Sequence, residues 1–262
     1  MSPLPEIDTS VPQSARIWNY WLGGTDNFPV DRAAGDDYLA VFPGIAELAR
    51  ESRRYLARAV RYLAGEAGIR QFLDVGAGLP TVDNTHQIAQ RVAPQARVVY
   101  VDKDPYVLEH GRRLLADDPE ASAVYVEADL QHPAGVLAVA ARELDLGLPV
   151  ALMLNGVLGH VPSTAEAREI VSQLMAGLSS GSYLSINDGA LLAEAEALNE
   201  AQDAYNDTGA VPYHMRTPDE IASLFGGLEV VPPGVVPCPR WRPDPGDDLG
   251  SVNQYGGVGR KP

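Results

Sequence analysis

Short apolar runs rich in β-branched residues alternate with longer amphipathic stretches along the chain after about residue 70. Several of these runs are apolar throughout, which is typical of strands covered by helices on both faces. Their length and composition predict strands over residues 70–75, 96–102, 122–128, 149–155, 182–188, 227–231 and 252–259. The pattern therefore predicts a mostly parallel sheet of seven strands.

Between the strands, a helical spacing of apolar residues predicts helices at about 82–93, 105–116, 133–143, 163–178, 189–204 and 217–225. The clearest helix start is Thr217, a predicted N-cap that forms a capping box with Glu220 and is followed by Pro218. The alternation predicts a doubly wound α/β fold. The two closing strands, separated mainly by loop, predict a hairpin at one edge.

Residues 1–69 do not share this alternation. Arg16–Leu22 and about Asp31–Leu63 have helical spacing with no strand between them. We therefore expect a helical N-terminal extension over 1–69 and one compact α/β unit over 70–262. The proline-rich stretch 231–250 is expected to be an ordered irregular loop, because proline is excluded from helix interiors and central strands.

The turn "DVGAGLPT" at the end of the first strand is typical of a nucleotide site, because ligands lie beyond the carboxyl ends of parallel strands. Gly76 and Gly78 permit positive φ and a close backbone approach, and a helix starting near Pro80 would point its amide groups at the ligand. Thr81 stands where the dinucleotide fingerprint has a third small residue, which weakens the case for a pyrophosphate.

Carboxylates at the strand ends extend this site. Asp102, after the second strand, can accept both hydroxyls of a ribose, and Asp129, after the third, can reach an adenine amino group. Each alone could be a helix N-cap, but their order along the strands favours a nucleoside. Asp74 suits an ammonium group better than a pyrophosphate. The combination fits S-adenosylmethionine, with Lys103 and Leu130 as further expected contacts.

Charge and composition limit the partners. A formal charge of −15 and an isoelectric point of about 4.6 argue against nucleic acid, and the basic run that begins at Arg50 is expected to be solvated surface. The single cysteine and the spacing of the five histidines predict no metal site. With no signal-like start and no run of roughly 18 apolar residues, a cytoplasmic protein without a membrane partner is expected. The oligomeric state is not predicted.

Several stretches together resemble a known family. They are "ARIWNYWLGGTDNFPVDRAA", "IRQFLDVGAGLPT", "ARVVYVDKDP", "YVEADL", "PVALMLNGVLGHVP", "GSYLSI", "GLEVVPPGVVP" and "YGGVGRK". Over about Pro12–Lys261 the chain resembles the actinobacterial S-adenosyl methyltransferase family, formerly catalogued as a domain of unknown function. The resemblance implies a class I methyltransferase (Rossmann-like) fold and S-adenosylmethionine binding by Asp74, Gly76, Gly78, Asp102 and Asp129. It does not imply a methyl acceptor.

Three positions depart from the family pattern. The family commonly has lysine where Thr25 stands, an acidic residue where Asn19 stands, and histidine where Gly159 stands. Catalytic roles that rest on these positions do not transfer to this chain.

Methyl transfer needs an oriented acceptor, exclusion of water and, for a protonated nucleophile, a base. Asn155, after the fourth strand, is expected to contact the methionine part of the cofactor. His160 and Asp188 are candidate catalytic residues, although packing or helix capping would also explain them. Tyr213 and Arg216 are candidates for the acceptor side; Arg216 either pairs with a nearby acid or recognises an acidic acceptor.

The N-terminal bend "GGTDN" lies among aromatic residues. Packing between helices would explain it, but a polar bend could also fold over the cofactor as a lid, as N-terminal helices often do in this fold class. The expected lid residues are Tyr20, Gly24, Asp26 and Asn27.

These observations favour an S-adenosylmethionine-dependent methyltransferase that acts on a small molecule. A non-catalytic protein that binds S-adenosylmethionine or S-adenosylhomocysteine is one alternative, because no unambiguous base is evident. An NAD(P)-dependent oxidoreductase is another, opposed by the missing third glycine and the long helical lead before the first strand.

Overall fold

The computed structural model describes residues 8–118, 120–247, 249–250 and 252–262. Three helices precede the sheet: α1 (Ser14–Trp21), α2 (Pro29–Val41) and α3 (Ile45–Gly65). The single helix expected over about 31–63 is thus two helices. Phe42 lies outside the helical region, at φ −127° and ψ 85°, as expected for a residue that precedes proline.

All seven predicted strands are present. They are β1 (Gln71–Val75), β2 (Arg97–Asp102), β3 (Ala123–Glu127), β4 (Ala151–Asn155), β5 (Tyr183–Gly189), β6 (Glu229–Val230) and β8 (Gln254–Arg260). Their order is β3-β2-β1-β4-β5-β8-β6; the first five are parallel, and β8 is antiparallel to both neighbours. The two-residue strand β7 (Val236–Pro237), in the segment expected to be loop, also pairs with β8.

In the described part of the chain, six α-helices follow β1: α4 (Thr85–Val92), α5 (Pro105–Ala116), α6 (Pro133–Ala140), α7 (Thr164–Ala176), α8 (Glu196–Asn206) and α9 (Pro218–Ser223). The capping box at Thr217 is confirmed, since its backbone N–H donates to Glu220 Oε2 at 2.9 Å and its hydroxyl accepts from Glu220 N at 3.3 Å. Helix α8 begins seven residues later than expected, because β5 continues through Gly189 and a loop follows it.

Helices cover both faces of the sheet, as its apolar strands require. Adjacent residues of β1 point to opposite faces, so Phe72 belongs to the apolar cluster that includes Tyr55 of α3, whereas Leu73 belongs to the cluster that includes Val136 of α6 and Leu174 of α7. Helix α3 therefore forms part of the layer that covers the sheet, although it precedes the first strand.

Helices α1, α2 and α8 form a separate apolar cluster with the start of α3, and this cluster includes Ile17, Tyr38, Leu48 and Leu198. A buried ion pair between Arg16 Nε and Asp31 Oδ2, 2.9 Å apart, joins α1 to α2. Among the described residues, no helix is long and apolar enough to cross a membrane.

Candidate active site

A cavity of about 280 Å3 lies at the carboxyl ends of β1, β2, β3 and β4, beneath helices α1, α2, α3 and α8. Because parallel strands end at the same edge of a sheet, it collects side chains that are far apart in the sequence. All eight residues predicted to bind the cofactor line this cavity: Asp74, Gly76, Gly78, Asp102, Lys103, Asp129, Leu130 and Asn155.

The glycine turn after β1 depends on residues without a side chain. Gly76 and Gly78 have φ of 74° and 64°, a region that favours glycine. A Cβ on Gly76 would lie 2.3 Å from Val157 Cγ2, so the close approach of β1 to the turn after β4 also requires glycine. The helix expected to start near Pro80 begins instead at Thr85, and a loop that includes Leu79 carries the chain along the cavity.

Asp74 is a buried carboxylate at the floor of the cavity. The Thr85 hydroxyl donates a hydrogen bond to Asp74 Oδ2 at 2.6 Å. Burial raises the pKa of Asp74 to about 6, a shift that the Thr85 bond and the nearby Arg53 oppose. Since this carboxylate is ionised near neutral pH, it can attract a cationic group of a ligand.

Arg53 of α3 lines the cavity and was not predicted as a site residue. It belongs to the basic run expected to be solvated surface, which is correct for Arg50 and Arg54. Arg53 is half-buried, with Nη2 donating to Asp83 O at 2.8 Å, and Arg58 is buried, with Nη2 donating to Cys238 O at 2.7 Å. Burial lowers the pKa of Arg53, and Asp74 counters that shift. The helical spacing of the basic run could not show that Arg53 faces the carboxyl ends of the strands.

Asp102 and Asp129 do not cap helices. The N-caps of the following helices are Asp104 for α5 and His132 for α6. Asp102 accepts the backbone N–H of Gly78 at 3.0 Å and of Asp104 at 2.9 Å, and burial raises the pKa of its carboxyl group. Asp129 Oδ2 lies 3.5 Å from the Lys103 ammonium. N-capping therefore does not explain either residue.

His160 ends a short 3-10 turn after β4 and lines the cavity. Its Nδ1 lies 2.9 Å from the Pro212 carbonyl oxygen, which can only accept, so Nδ1 carries the hydrogen and Nε2 keeps a lone pair. Burial lowers the pKa of His160, which favours the neutral imidazole. The ring can therefore accept a proton through Nε2.

Asp188 and Arg216 do not line the cavity, and of the two alternatives for Arg216 the structure shows pairing with a nearby acid. Asp188 is buried outside the cavity, accepts the Tyr213 hydroxyl at 2.6 Å, and does not cap α8. The Arg216 guanidinium is also buried, donates to the carbonyls of Leu158 and Val161 at 2.8 and 2.7 Å, and lies 3.9 Å from Asp188. A strand-end position suggested an exposed carboxylate, but its side chain is turned into the protein.

Tyr213 does line the cavity, and it explains one departure from the family pattern. A Cβ on Gly159 would lie 2.2 Å from the Tyr213 ring. A histidine at position 159, common in the family, would therefore collide with the Tyr213 side chain. In this chain the turn carries its histidine one position later, at His160.

The four predicted lid residues do not line the cavity. Asn27 donates to Asn19 Oδ1 and to the Gly24 carbonyl, both at 2.9 Å, and Asp26 N donates to the same Asn19 oxygen at 3.0 Å. The Tyr20 hydroxyl donates to Asp36. Arg32 of α2 also donates to Asn27 Oδ1 at 2.9 Å, and Asp26 Oδ1 lies 3.8 Å from His110 Nε2 of α5. Contacts within the protein therefore account for Tyr20, Gly24, Asp26 and Asn27 in this structure.

Helices supply the rest of the lining, including residues that the sequence did not single out. Trp18 and Trp21 of α1, Tyr38 of α2, and Gln202 and Tyr205 of α8 all face the cavity. Their amphipathic spacing predicts a buried face, but it does not tell a cavity wall from a packed core.

The fold and the site together define a methyltransferase of the S-adenosylmethionine-dependent, Rossmann-like class. The chain belongs to the S-adenosyl methyltransferase family, whose family model matches residues 2–262. The family resemblance drawn from the sequence and the predicted cofactor are therefore confirmed.

Solved structures of relatives agree with this assignment. A candidate methyltransferase from Thermobifida fusca is 42% identical with a TM-score of 0.91, over 100% of this chain and 99% of that one. A DUF574 family protein from Streptomyces avermitilis is 42% identical with a TM-score of 0.92, over 98% of this chain and 100% of that one.

A curated relative shares a shorter segment. It is a candidate S-adenosyl-L-methionine-dependent methyltransferase from Mycobacterium marinum, 30% identical over 144 residues. The match covers 51% of this chain and 43% of the relative, so it spans less than half of the relative's length.

Proposed function

We propose that this chain transfers the methyl group of S-adenosylmethionine to a small-molecule acceptor held in the same cavity. One observation carries the proposal: a single cavity joins the carboxylates at the strand ends to the apolar side chains of α1, α2 and α8. Such an enclosed cleft, largely apolar with a few convergent polar groups, suits a small molecule better than a macromolecular surface.

The residues at the strand ends fit the cofactor. Asp74 would attract its ammonium group, Asp102 its ribose hydroxyls and Asp129 its adenine amino group. Asn155 Nδ2 is buried in the cavity lining and has no hydrogen-bond partner among the described residues, so it is available to an oxygen of the methionine part. When bound, the cofactor supplies an electrophilic methyl group on a sulfonium.

His160 is the proposed general base. The Pro212 carbonyl fixes its tautomer, so Nε2 can take the proton that an acceptor hydroxyl loses as it is methylated. Because its pKa is lowered, the imidazole is neutral and ready to accept a proton at physiological pH.

We further propose that helices α1 and α2 of the N-terminal extension, expected over 1–69, act as the cover of an α/β unit expected over 70–262. Trp18 and Trp21 of α1 and Tyr38 of α2 line the cavity, so movement of these helices would admit ligands and their return would exclude water. A cytoplasmic location without nucleic-acid partners stays a prediction from the sequence.

The test is methyl transfer itself. The protein is incubated with S-adenosylmethionine labelled in its methyl group and a bacterial extract separated into small molecules and macromolecules. The proposal predicts label in the small-molecule fraction, lost with His160→Gln and kept with His214→Gln, a matched control at an exposed histidine outside the cavity. Label in the macromolecules alone would contradict the small-molecule acceptor.

A further inference from the structure

The helical side of the cavity differs in chemistry from the strand-end side. We call it the apolar end; it is formed by α1, α2, the first turn of α3, α8 and residues 211–215. Trp18, Trp21, Tyr38 and Tyr205 make a continuous aromatic wall, with successive ring centroids 5.9, 4.9 and 6.2 Å apart. Burial raises the pKa of Tyr38 and Tyr205, so both phenols are neutral.

No Asp, Glu, Lys or Arg is found among the described residues that line the apolar end. The cations of the cavity, Arg53 and Lys103, lie beside Asp74 and Asp129 at the strand ends. An ionised acceptor would therefore lose its hydration without gaining a counter-charge, which is costly in an apolar site.

Charged groups just behind the wall are already paired. Arg16 pairs with Asp31, and both side chains are buried. Arg216 donates to backbone carbonyls, and Asp188 accepts from the Tyr213 hydroxyl. Among the described residues, no charged side chain therefore lines the apolar end, and the nearest buried ones each face an opposite charge.

Two polar atoms near the aromatic wall could orient a bound ligand. His160 Nε2 can accept a proton, as described above. Gln254 Oε1 is buried in the cavity lining without a hydrogen-bond partner among the described residues, and Gln254 pairs in register with Gly189, whose N–H donates to Tyr213. A flat ligand that lies against the aromatic wall could therefore place a hydroxyl at His160 and a second donor at Gln254.

We propose that the apolar end binds an uncharged aromatic or fused-ring alcohol as the methyl acceptor; this inference rests on the proposed function. The hydroxyl oxygen forms a bond to the methyl carbon while the bond from that carbon to sulfur breaks, and sulfur keeps the electron pair as a neutral thioether. The hydroxyl proton passes to His160 Nε2, and the imidazolium then releases it to water.

The test compares two probes with the same ring system. Calorimetry on protein saturated with S-adenosylhomocysteine measures the binding of 2-naphthol, which is neutral at pH 7.5, and of 2-naphthoate, which is anionic. We expect 2-naphthol to bind at least about tenfold more tightly, because the carboxylate must be desolvated without a partner. Equal or tighter binding of 2-naphthoate, or no binding of 2-naphthol, would overturn the inference.

A variant with an added cation should offset the preference for the neutral probe. Val211→Lys places a cation on the apolar end at a position that is 37% exposed, so folding should survive. We expect it to tighten binding of 2-naphthoate about tenfold. Val230→Lys, at a 42% exposed position of β6 outside the cavity, should change neither affinity. An unchanged preference in Val211→Lys would contradict the inference.

The two proposals fail in different ways. If the native protein does not bind S-adenosylhomocysteine, the proposed function fails. If it binds S-adenosylhomocysteine but does not prefer the neutral probe, only the acceptor class is wrong.

Discussion

Replacing Asp102 by alanine tests the cofactor site at the residue whose role is most sharply defined. A carboxylate has about four lone-pair positions. Two are used by the backbone N–H groups of Gly78 and Asp104, at 3.0 and 2.9 Å, which leaves two for the hydroxyls of a ribose. Hydrogen bonds to a charged group contribute about 1.5–3 kcal/mol each. Loss of at least one should therefore weaken binding of S-adenosylhomocysteine about 10- to 150-fold.

The assay is calorimetric titration, with thermal unfolding to show that the variant is folded. Asp145→Ala is the matched control, since Asp145 also accepts a backbone N–H, from Gly147 at 2.9 Å, but lies outside the cavity. The control should keep native affinity. A folded Asp102→Ala protein with unchanged affinity would refute the assignment of the ribose site.

Further variants test the turn, the buried acid and the base. An alanine in the left-handed region lowers the free energy of unfolding by about 1–2 kcal/mol. Gly76→Ala should lower it by more, because the added Cβ would also collide with Val157. Gly68→Ala, at φ 70° with open space around it, should lower it by that amount alone, as measured by urea unfolding. Asp74 has a raised pKa of about 6, so its contribution to stability is present below about pH 3.8 and is lost as pH rises through 6. Over that range the free energy of unfolding of the native protein should fall by about 3 kcal/mol, and Asp74→Asn should not show this fall. A variant that keeps the native pH profile would contradict the raised pKa of Asp74. For an acceptor that is turned over, His160→Gln should lower kcat about 10²–10⁴-fold and abolish the loss of rate at low pH; a native pH profile in this variant would exclude His160 as the base.

The sheet was predictable because its strands are buried on both faces and therefore carry continuous apolar runs. The same topology made the cofactor side predictable, since Asp74, Asp102, Asp129 and Asn155 follow strands that end at one edge. Helix boundaries were less accurate, as at α4, where the apolar spacing continues into the loop before Thr85.

The acceptor side could not be predicted in the same way. Tyr38, Gln202 and Tyr205 reach the cavity only because α2 and α8, far apart in the sequence, pack together. Asp188 and Arg216 have the residue types expected of a site, but their side chains are buried and paired within the protein. Which side of an element faces a cavity is a property of tertiary packing, and a single sequence does not encode it in a local pattern.

The most direct test of the account is a parallel calorimetric titration of the purified protein with S-adenosylmethionine, S-adenosylhomocysteine and NAD. The account predicts that the first two bind at one site and that NAD does not bind. Binding of NAD, or of none of the three, would contradict the claim that the cavity at the strand ends holds S-adenosylmethionine.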